Sequence, residues 1–446
     1  MKKPEHGKSL TEQVAHETVV RLREHGYEAY WVGGCVRNML LGLPAEDIDI
    51  ATNARPEATM QLFPRTIPVG VRFGVILVVQ NDVQLEVATF RSDGMYLDYR
   101  HPQEVHFSTA REDALRRDFT MNALFYDPLE KRIIDFVGGE EDLKAGIIRG
   151  IGNPGERFRE DALRMLRAIR FATRFGFTIE PTTWAALCES ASLITQISAD
   201  RIREELIKIF CGPKAGRALE LMDQSGLLKE ILPEVAQLKG IPQPPSFHPE
   251  GDVFTHTVVG MNLLDNPTPT LAFGFLLHDV GKFPTYEEAD RARFNYHDKV
   301  GAEIADGICR RLNFSSADRN KIVELVERHM KFLHIREMRQ AKLKRFLASP
   351  TIAEDLELHR IDCLASHADL ENYNFCKEKL EEFAREEEEL IPPPLITGDD
   401  LIDAGYKPGP LFKEILNTVA EHQLEGTFKS KRQALNFVKR KYQRKE

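Results

Sequence analysis

Strand-like patterning is confined to the first third of this chain, and from Arg157 onward it gives way to helical spacing. EAYWVGG, EDIDIAT, VILVVQ and QLEVATF alternate or run apolar over short stretches, as strands do. CVRNMLLG, behind the Gly33-Gly34 turn, reads as a helix. RFREDALRMLRAIRFATRF then opens a series of helical segments reaching about Leu232, and a second helical block runs to about Cys376. Such a division predicts an α+β chain: a small mixed sheet with helices, followed by all-α domains. At 446 residues and roughly 150 per domain the length suits about three domains. The punctuation divides it further, into 1–150, 151–239, 240–376 and 377–446. The Pro-rich GIPQPPSFHPEG (240–251) reads as a linker, and IPPPLITGDDL ends the charged helix KEKLEEFAREEEEL and opens a C-terminal segment.

Composition excludes several classes. No window approaches about 18 uninterrupted apolar residues, so no membrane span is expected. The first residues, MKKPEHGKSLTEQVAHE, lack the apolar core of a signal peptide. Cys35, Cys188, Cys211, Cys309, Cys363 and Cys376 are scattered with no CxxC pair, the pattern of reduced thiols in a cytoplasmic protein. A net charge of −9 argues against broad coating of nucleic acid, yet Lys429 to Lys445 carries eight Lys/Arg and no acid. That stretch either tracks a phosphate backbone or is a solvated helix end. No obligate protein partner is evident.

Asp47 and Asp49 are the sharpest chemical feature. On a strand, residues i and i+2 share a face, so the two carboxylates project together. Hard oxygen ligands held in this way suit Mg²⁺, which takes a few carboxylates plus substrate phosphates; two such ions serve phosphoryl transfer to a hydroxyl. Upstream, Gly33-Gly34-Cys35-Val36-Arg37 is a glycine turn at a strand–helix junction, where backbone N–H groups can hold a triphosphate. Glu86, on a later strand, is either a third carboxylate of this site or an ordinary exposed glutamate.

WVGGCVRNMLLG, EDIDIAT, VGVRFGVILV, EVATFR, RRDFTMNAL, DFVGGEEDL and EDALRMLRAIRFATRFGF, in that order from Tyr30 to Phe177, resemble the motif series of class II tRNA nucleotidyltransferases and bacterial poly(A) polymerases. Asn38 departs from the pattern, which usually has aspartate after the arginine. The resemblance implies a polymerase-β-like head, with Arg116, Arg117 and Asp118 of RRDFTMNAL contacting the ribose and phosphates of the incoming nucleotide. Without it, those three residues read equally as a surface ion pair.

Glu160, Asp161 and Arg164 lie in the last motif, where Asp161 and Arg164 are expected to share a helix face. Cytosine and adenine each present an amino donor beside a bare ring nitrogen; guanine and uracil present a carbonyl beside a ring N–H. A carboxylate and a guanidinium side by side therefore accept C and A and refuse G and U, at about 1–3 kcal/mol per good pairing. In the family this motif selects CTP and ATP without a nucleic-acid template. Ser92 to Leu115 reads as a loop of full length, with Asp93, Tyr96, Asp98 and Arg100, which disfavours a CC-only enzyme. The resemblance thus implies CCA addition to tRNA with Mg²⁺; an A-adding enzyme, a poly(A) polymerase, or an RNA-repair hydrolase with a tRNA-binding head are the alternatives.

A second set, His256, His278-Asp279, His297, His329 and Asp362, is spread over helical segments. Imidazole and carboxylate together suit a divalent metal that activates water. The set resembles the HD phosphohydrolase superfamily, with His256, His278, Asp279 and Asp362 as core ligands and His297 and His329 at positions that bind a second metal in some members. The implied activity is a phosphodiesterase or phosphatase, on substrates such as 2′,3′-cyclic ends, with Mn²⁺, Ni²⁺, Fe²⁺ or Mg²⁺ as the metal. Lys282 either neutralises a substrate phosphate or is an ordinary exposed lysine. His334, His359 and His367 are expected to be structural or surface residues. The segment from LITGDDL onward resembles the tail of HD-bearing tRNA nucleotidyltransferases and is expected to contact tRNA.

Overall fold

A computed structural model describes residues 9–45, 47–93, 105–245, 248–288, 292–385 and 390–442. Tyr96, Asp98, Arg100, Arg444 and Lys445 lie outside them, as does the side chain of Asp93. The chain divides into two units, one of Met1–Ala236 with Arg311–Asn313 and one of Gln237–Arg310 with Phe314–Glu446. No described helix is long and apolar enough to cross a membrane.

The first unit carries a seven-stranded sheet; the four segments read as strands supply four of its members, and Thr66–Gly70, Phe125–Asp127 and Arg132–Ile134 add three that were not expected from the sequence. Its order is Thr66–Gly70, Val75–Gln80, Val83–Thr89, Asp49–Thr52, Ala29–Val32, Phe125–Asp127, Arg132–Ile134. Asp49–Thr52 lies antiparallel to Ala29–Val32, with Val32 opposite Asp49, and parallel to Val83–Thr89, with Ile50 opposite Val87. Phe90 and Phe125 are fully buried beside Tyr30, Val32, Ala51 and Ala114. Burial of side chains that size stabilises by about 1.5–3 kcal/mol each. Helices take over after the head, including Leu163–Phe175, Ala199–Phe210 and Ala215–Gln224.

One expectation fails here. RFREDALRMLRAIRFATRF forms two helices, Pro154–Glu160 and Leu163–Phe175. Asp161 between them is extended (φ −147°, ψ 101°), so it shares no helix face with Arg164. Its carboxylate accepts the Leu163 N–H at 3.2 Å, the first N–H of the second helix, whose N-cap is Ala162. Strand also persists past Arg157 in two small ladders, Ile147–Ile148 with Thr178–Ile179 and Tyr286–Glu287 with Arg293–Phe294.

The second unit is helical. Val253–Leu263, Pro269–Leu277, His297–Arg311, Ser316–Arg328 and Ile352–Ala365 carry its polar residues, several at or just beyond the helix ends. The helix Glu371–Arg385 runs on through Cys376, which is packed with Phe383 in one cluster with Phe332 and Phe346. The basic tail is a helix, Lys431–Lys441: Ala434 and Val438 are buried with Ile396, Leu401 and Tyr406, while Lys439, Arg440 and Lys441 are exposed.

Candidate active sites

The head carries a cavity of about 490 Å³ lined by Gly33, Gly34, Arg37, Asp49, Arg116, Arg117, Asp118, Asp161 and Arg164, with Asn122, Arg167, Arg170 and Arg201 completing the polar wall. Seven guanidinium groups face three carboxylates, a balance that suits a polyanion. Gly33 ends the first strand at φ +74°, and a Cβ there would stand 3.1 Å from Arg117 Nη1. Only glycine allows both the turn and that close approach.

Asp49 is the first residue of its strand and Asp47 lies in the bend before it; Ile48 and Ile50 point inward, leaving both aspartates on the other side. Glu86 stands one residue before Val87 on the adjacent parallel strand, beside Asp49. Burial and then Glu86 raise the Asp49 carboxyl to about 6, with Asp47 adding and Arg117 opposing. Carboxylates that resist joint ionisation are relieved by a cation, and an all-oxygen set fits a hard divalent ion. Asp47, Glu86 and Glu160 flank the cavity without lining it.

Arg116, Arg117 and Asp118 are not paired with one another. Both arginines grip the buried Asp113, at 2.7 and 3.0 Å. Asp118 accepts from Phe119 N–H (2.8 Å), Asn122 Nδ2 (3.0 Å) and both Nε (2.8 Å) and Nη2 (2.5 Å) of Arg167. Burial opposes its charge, but Arg167 and Asn122 hold the carboxyl at about 2. Asn122 in turn accepts from Arg37 at 2.6 Å, so a buried chain ties the glycine turn to the helix Leu163–Phe175. Asn38 Oδ1 accepts from Arg37 Nε and Nη2 at 3.2 and 2.9 Å, the contact an aspartate there would make with charge. Arg164 pairs with Glu160 at 2.9 Å, and Asp161 with Arg201 at 2.8 Å.

The second unit brings its six predicted residues to one place as two triads, His256/His278/Asp362 and Asp279/His297/His329. Asp279 therefore groups with the two outer histidines, although its Oδ2 is also 3.3 Å from His278 Nε2. Nδ1 of His278, His297 and His329 lies 2.7, 2.8 and 2.6 Å from the carbonyls of Phe275, Phe294 and Val326. A carbonyl only accepts, so each Nδ1 carries the hydrogen and each Nε2 is left as a lone pair. His297 Nε2 and His329 Nε2 then face each other at 3.1 Å. His256 Nε2 and His278 Nε2 are buried without an aligned partner, 3.0 and 3.9 Å from Asp362 Oδ1. Converging lone pairs, each ring fixed from behind, fit a divalent metal.

The electrostatics agree. Burial and the neighbouring His278 and His297 push His329 down to about 3, so its ring is neutral. Burial also opposes charge on His256, but Asp362 and Glu250 lift it to about 9, the mark of a place that favours positive charge. Lys282 is no exposed lysine: it is buried, and donates to Asp279 Oδ2 (2.8 Å) and Gln243 Oε1 (2.7 Å). It lines a cavity of about 790 Å³ with His248, Phe294, Asp279, Asp362 and His367. Of the histidines expected to be structural or surface residues, His334 and His367 are exposed and His359 stacks on Phe332 at 4.3 Å; His367 also lines this cavity.

Residues 29–149 match the family described as "Poly A polymerase head domain", 176–239 "Probable RNA and SrmB- binding site of polymerase A", and 260–367 "HD domain". Each match spans less than half of the chain, and over those residues the head, the helical stretch behind it and the HD segment are similar to these families. Among its relatives, a "CCA-adding enzyme" of Geobacillus stearothermophilus is 48% identical over 216 residues, 48% of this chain and 53% of that protein. One of Enterococcus faecalis is 48% identical over 199 residues, 44% of this chain and 49% of the relative. The chain thus spans about half the length of the curated relatives it matches. The solved Bacillus stearothermophilus CCA-adding enzyme in complex with CTP superposes with a TM-score of 0.74 at 28% identity, covering 97% of this chain and 98% of that one. The Thermotoga maritima CCA-adding enzyme complexed with tRNA_CCA, at 22% identity, TM-score 0.62 and 97% and 96% coverage, shares the fold.

The residues that could not be read from the sequence are instructive. Asp113, Asn122, Arg167 and Arg201 hold the predicted residues in place, and Asp113 and Asn122 flank the RRDFTMNAL arginines closely enough for their spacing to have signalled it. Arg201, forty positions from Asp161, left no local signal. Gln243, His248 and Glu250 lay in the Pro-rich segment read as a linker, which instead reaches the second site.

Proposed function

We propose that this protein is a CCA tRNA nucleotidyltransferase, adding C, C and A to the 3′ end of tRNA from CTP and ATP without a nucleic-acid template. The observation that carries the reading is the arginine-lined cavity that joins Asp49 to Asp161 and Arg164. Asp47, Asp49 and Glu86 are the residues to hold Mg²⁺, which supplies charge neutralisation for attack of the tRNA 3′-hydroxyl on the α-phosphate and departure of pyrophosphate. The Gly33-Gly34 turn, Arg37, Arg116 and Arg117 receive the triphosphate and ribose. Asp118, its acceptors already filled by Asn122, Arg167 and a backbone N–H, acts by holding that wall. Asp161 accepts the base amino hydrogen and Arg164 donates to the ring nitrogen, with Glu160 steadying Arg164.

We further assign residues 1–150 to the catalytic head, 151–239 to nucleotide selection and RNA binding, 240–376 to an HD phosphohydrolase and 377–446 to tRNA contact, in a cytoplasmic protein. The HD residues His256, His278, Asp279, His297, His329 and Asp362 hold a divalent metal (Mn²⁺, Ni²⁺, Fe²⁺ or Mg²⁺) that supplies Lewis acidity toward a phosphate ester such as a 2′,3′-cyclic end. Lys282, buried against Asp279, offers the ester its positive charge.

The test is incubation of the purified protein with Mg²⁺ and tRNA transcripts lacking the whole CCA end, lacking only A, or complete, with CTP and ATP separately and together. Completion of the shortest transcript supports the reading. Addition of A alone to the CC-ending transcript makes it an A-adding enzyme, and long A tails make it a poly(A) polymerase.

A further inference from the structure

The Pro-rich segment between Gly240 and Gly251 carries a carboxylate outside the six residues read as metal ligands, Glu250, which clusters with His248 and His256. Glu250 Oε1 lies 2.7 Å from His256 Nδ1 and 2.8 Å from His248 Nδ1. Both rings are packed edge-to-face, centroids 5.1 Å apart. His256 is fully buried, whereas His248 lines the cavity. The three other histidines of the two triads are held through Nδ1 by backbone carbonyls of the residue three before them. His256 is the exception: its Nδ1 is held by a side chain, and that side chain comes from outside the helices that carry the ligands.

We infer that Glu250 is a positioning residue of the HD metal site, fixing the tautomer and ring angle of His256 so that Nε2 is presented toward Asp362, and that the same oxygen sets His248 in the cavity wall. This rests on the reading of the six residues as a metal centre. A neutral imidazole has one N–H, and the position of that hydrogen is decided by whichever nitrogen has the better acceptor. Nδ1 keeps its hydrogen on the carboxylate at 2.7 Å, so the nitrogen that gives up a proton to a metal is Nε2, the atom 3.0 Å from Asp362 Oδ1. A carboxylate behind an imidazole also makes the ring a stronger donor to a metal, and loss of such a partner weakens metal binding about 10–100-fold. The backbone carbonyls behind the other three rings exert less of this effect, because they carry no net charge. The same segment holds Lys282 through Gln243, at 2.7 Å, and Lys282 reaches Asp279. Its two polar contacts therefore brace one residue of each triad.

The experiment is titration of the full-length protein with Co²⁺, followed by visible absorption, which distinguishes an imidazole-bearing site from the all-oxygen site of the head. Glu250→Ala and Glu250→Gln are compared with the parent protein, each first checked for an unchanged far-UV spectrum. Expected are Co²⁺ affinities about 10–100-fold weaker for the alanine variant and an intermediate loss for glutamine, which keeps an acceptor but no charge. CCA addition by the same preparations is expected to be unchanged. Parent-like affinity in both variants overturns the positioning role. If the parent itself develops no imidazole-type absorption, the metal reading of the second site falls and this inference falls with it.

Discussion

Asp49 carries the clearest consequence at the scale of single residues. Its carboxyl is raised to about 6 by burial and by Glu86, so in the metal-free protein its contribution to stability is fully present below the ordinary value of 3.8 and is lost as pH rises through 6. Mg²⁺ binds the ionised form. Thermal unfolding with and without Mg²⁺ is therefore expected to show a metal-induced rise in Tm above pH 6 that shrinks below it; a rise independent of pH would remove Asp49 from the metal site. Asn38 gives a second test. Arg37 is buried, and burial with the nearby Arg174 and Arg170 lowers it to about 10. Asn38→Asp would place a carboxylate opposite the charged Arg37 guanidinium in the two hydrogen bonds that the Asn38 amide now accepts, expected to stabilise by about 1 kcal/mol. An unchanged or lower Tm would mean the surroundings do not welcome the added charge.

At the scale of elements, the break between Pro154–Glu160 and Leu163–Phe175 matters most. No glycine or proline marks it, and the apolar spacing continues across it, so local sequence reads as one helix. What holds the break is Arg201, from the helix Ala199–Phe210, on Asp161 Oδ2, with the Leu163 N–H on Oδ1. Arg201→Ala is expected to release the carboxylate and to cost about 1–3 kcal/mol of discrimination, read as incorporation of UTP or GTP relative to CTP; unchanged selectivity would show that Asp161 needs no clamp. Gly281 plays a comparable part in the second unit. A Cβ there would lie 2.0 Å from the His297 carbonyl oxygen. Gly281→Ala is expected to push the helix His297–Arg311 away from the segment that follows Asp279 and to lower metal affinity, with Co²⁺ binding at the parent level as the contrary result.

For the molecule as a whole, each unit has its own core and its own polar cavity. Asp47→Ala is expected to abolish nucleotide addition and spare phosphohydrolysis, and the double change His278→Ala with Asp279→Ala to do the reverse, both measured on one preparation. Loss of both activities in either variant would show that the two sites are not independent.

The sequence by itself determined what depends on neighbours along the chain. Four strands of the sheet, the Gly33-Gly34 turn, the shared side of Asp49 and Asp47 and the six clustered His and Asp residues of the second unit were legible, because period, turn chemistry and ligand type are local properties; that Asp47 lies in the bend before the strand was not. Tertiary structure decided what depends on distant contacts: that Asp113 takes both Arg116 and Arg117, that Asp118 is saturated by Asn122 and Arg167, that Asp161 is extended and clamped by Arg201, and that Lys282 is buried on Asp279. It also turned a proline-rich linker into the support of His256. A buried charge must find its partner wherever folding brings one within reach, and spacing along the chain carries no record of that choice.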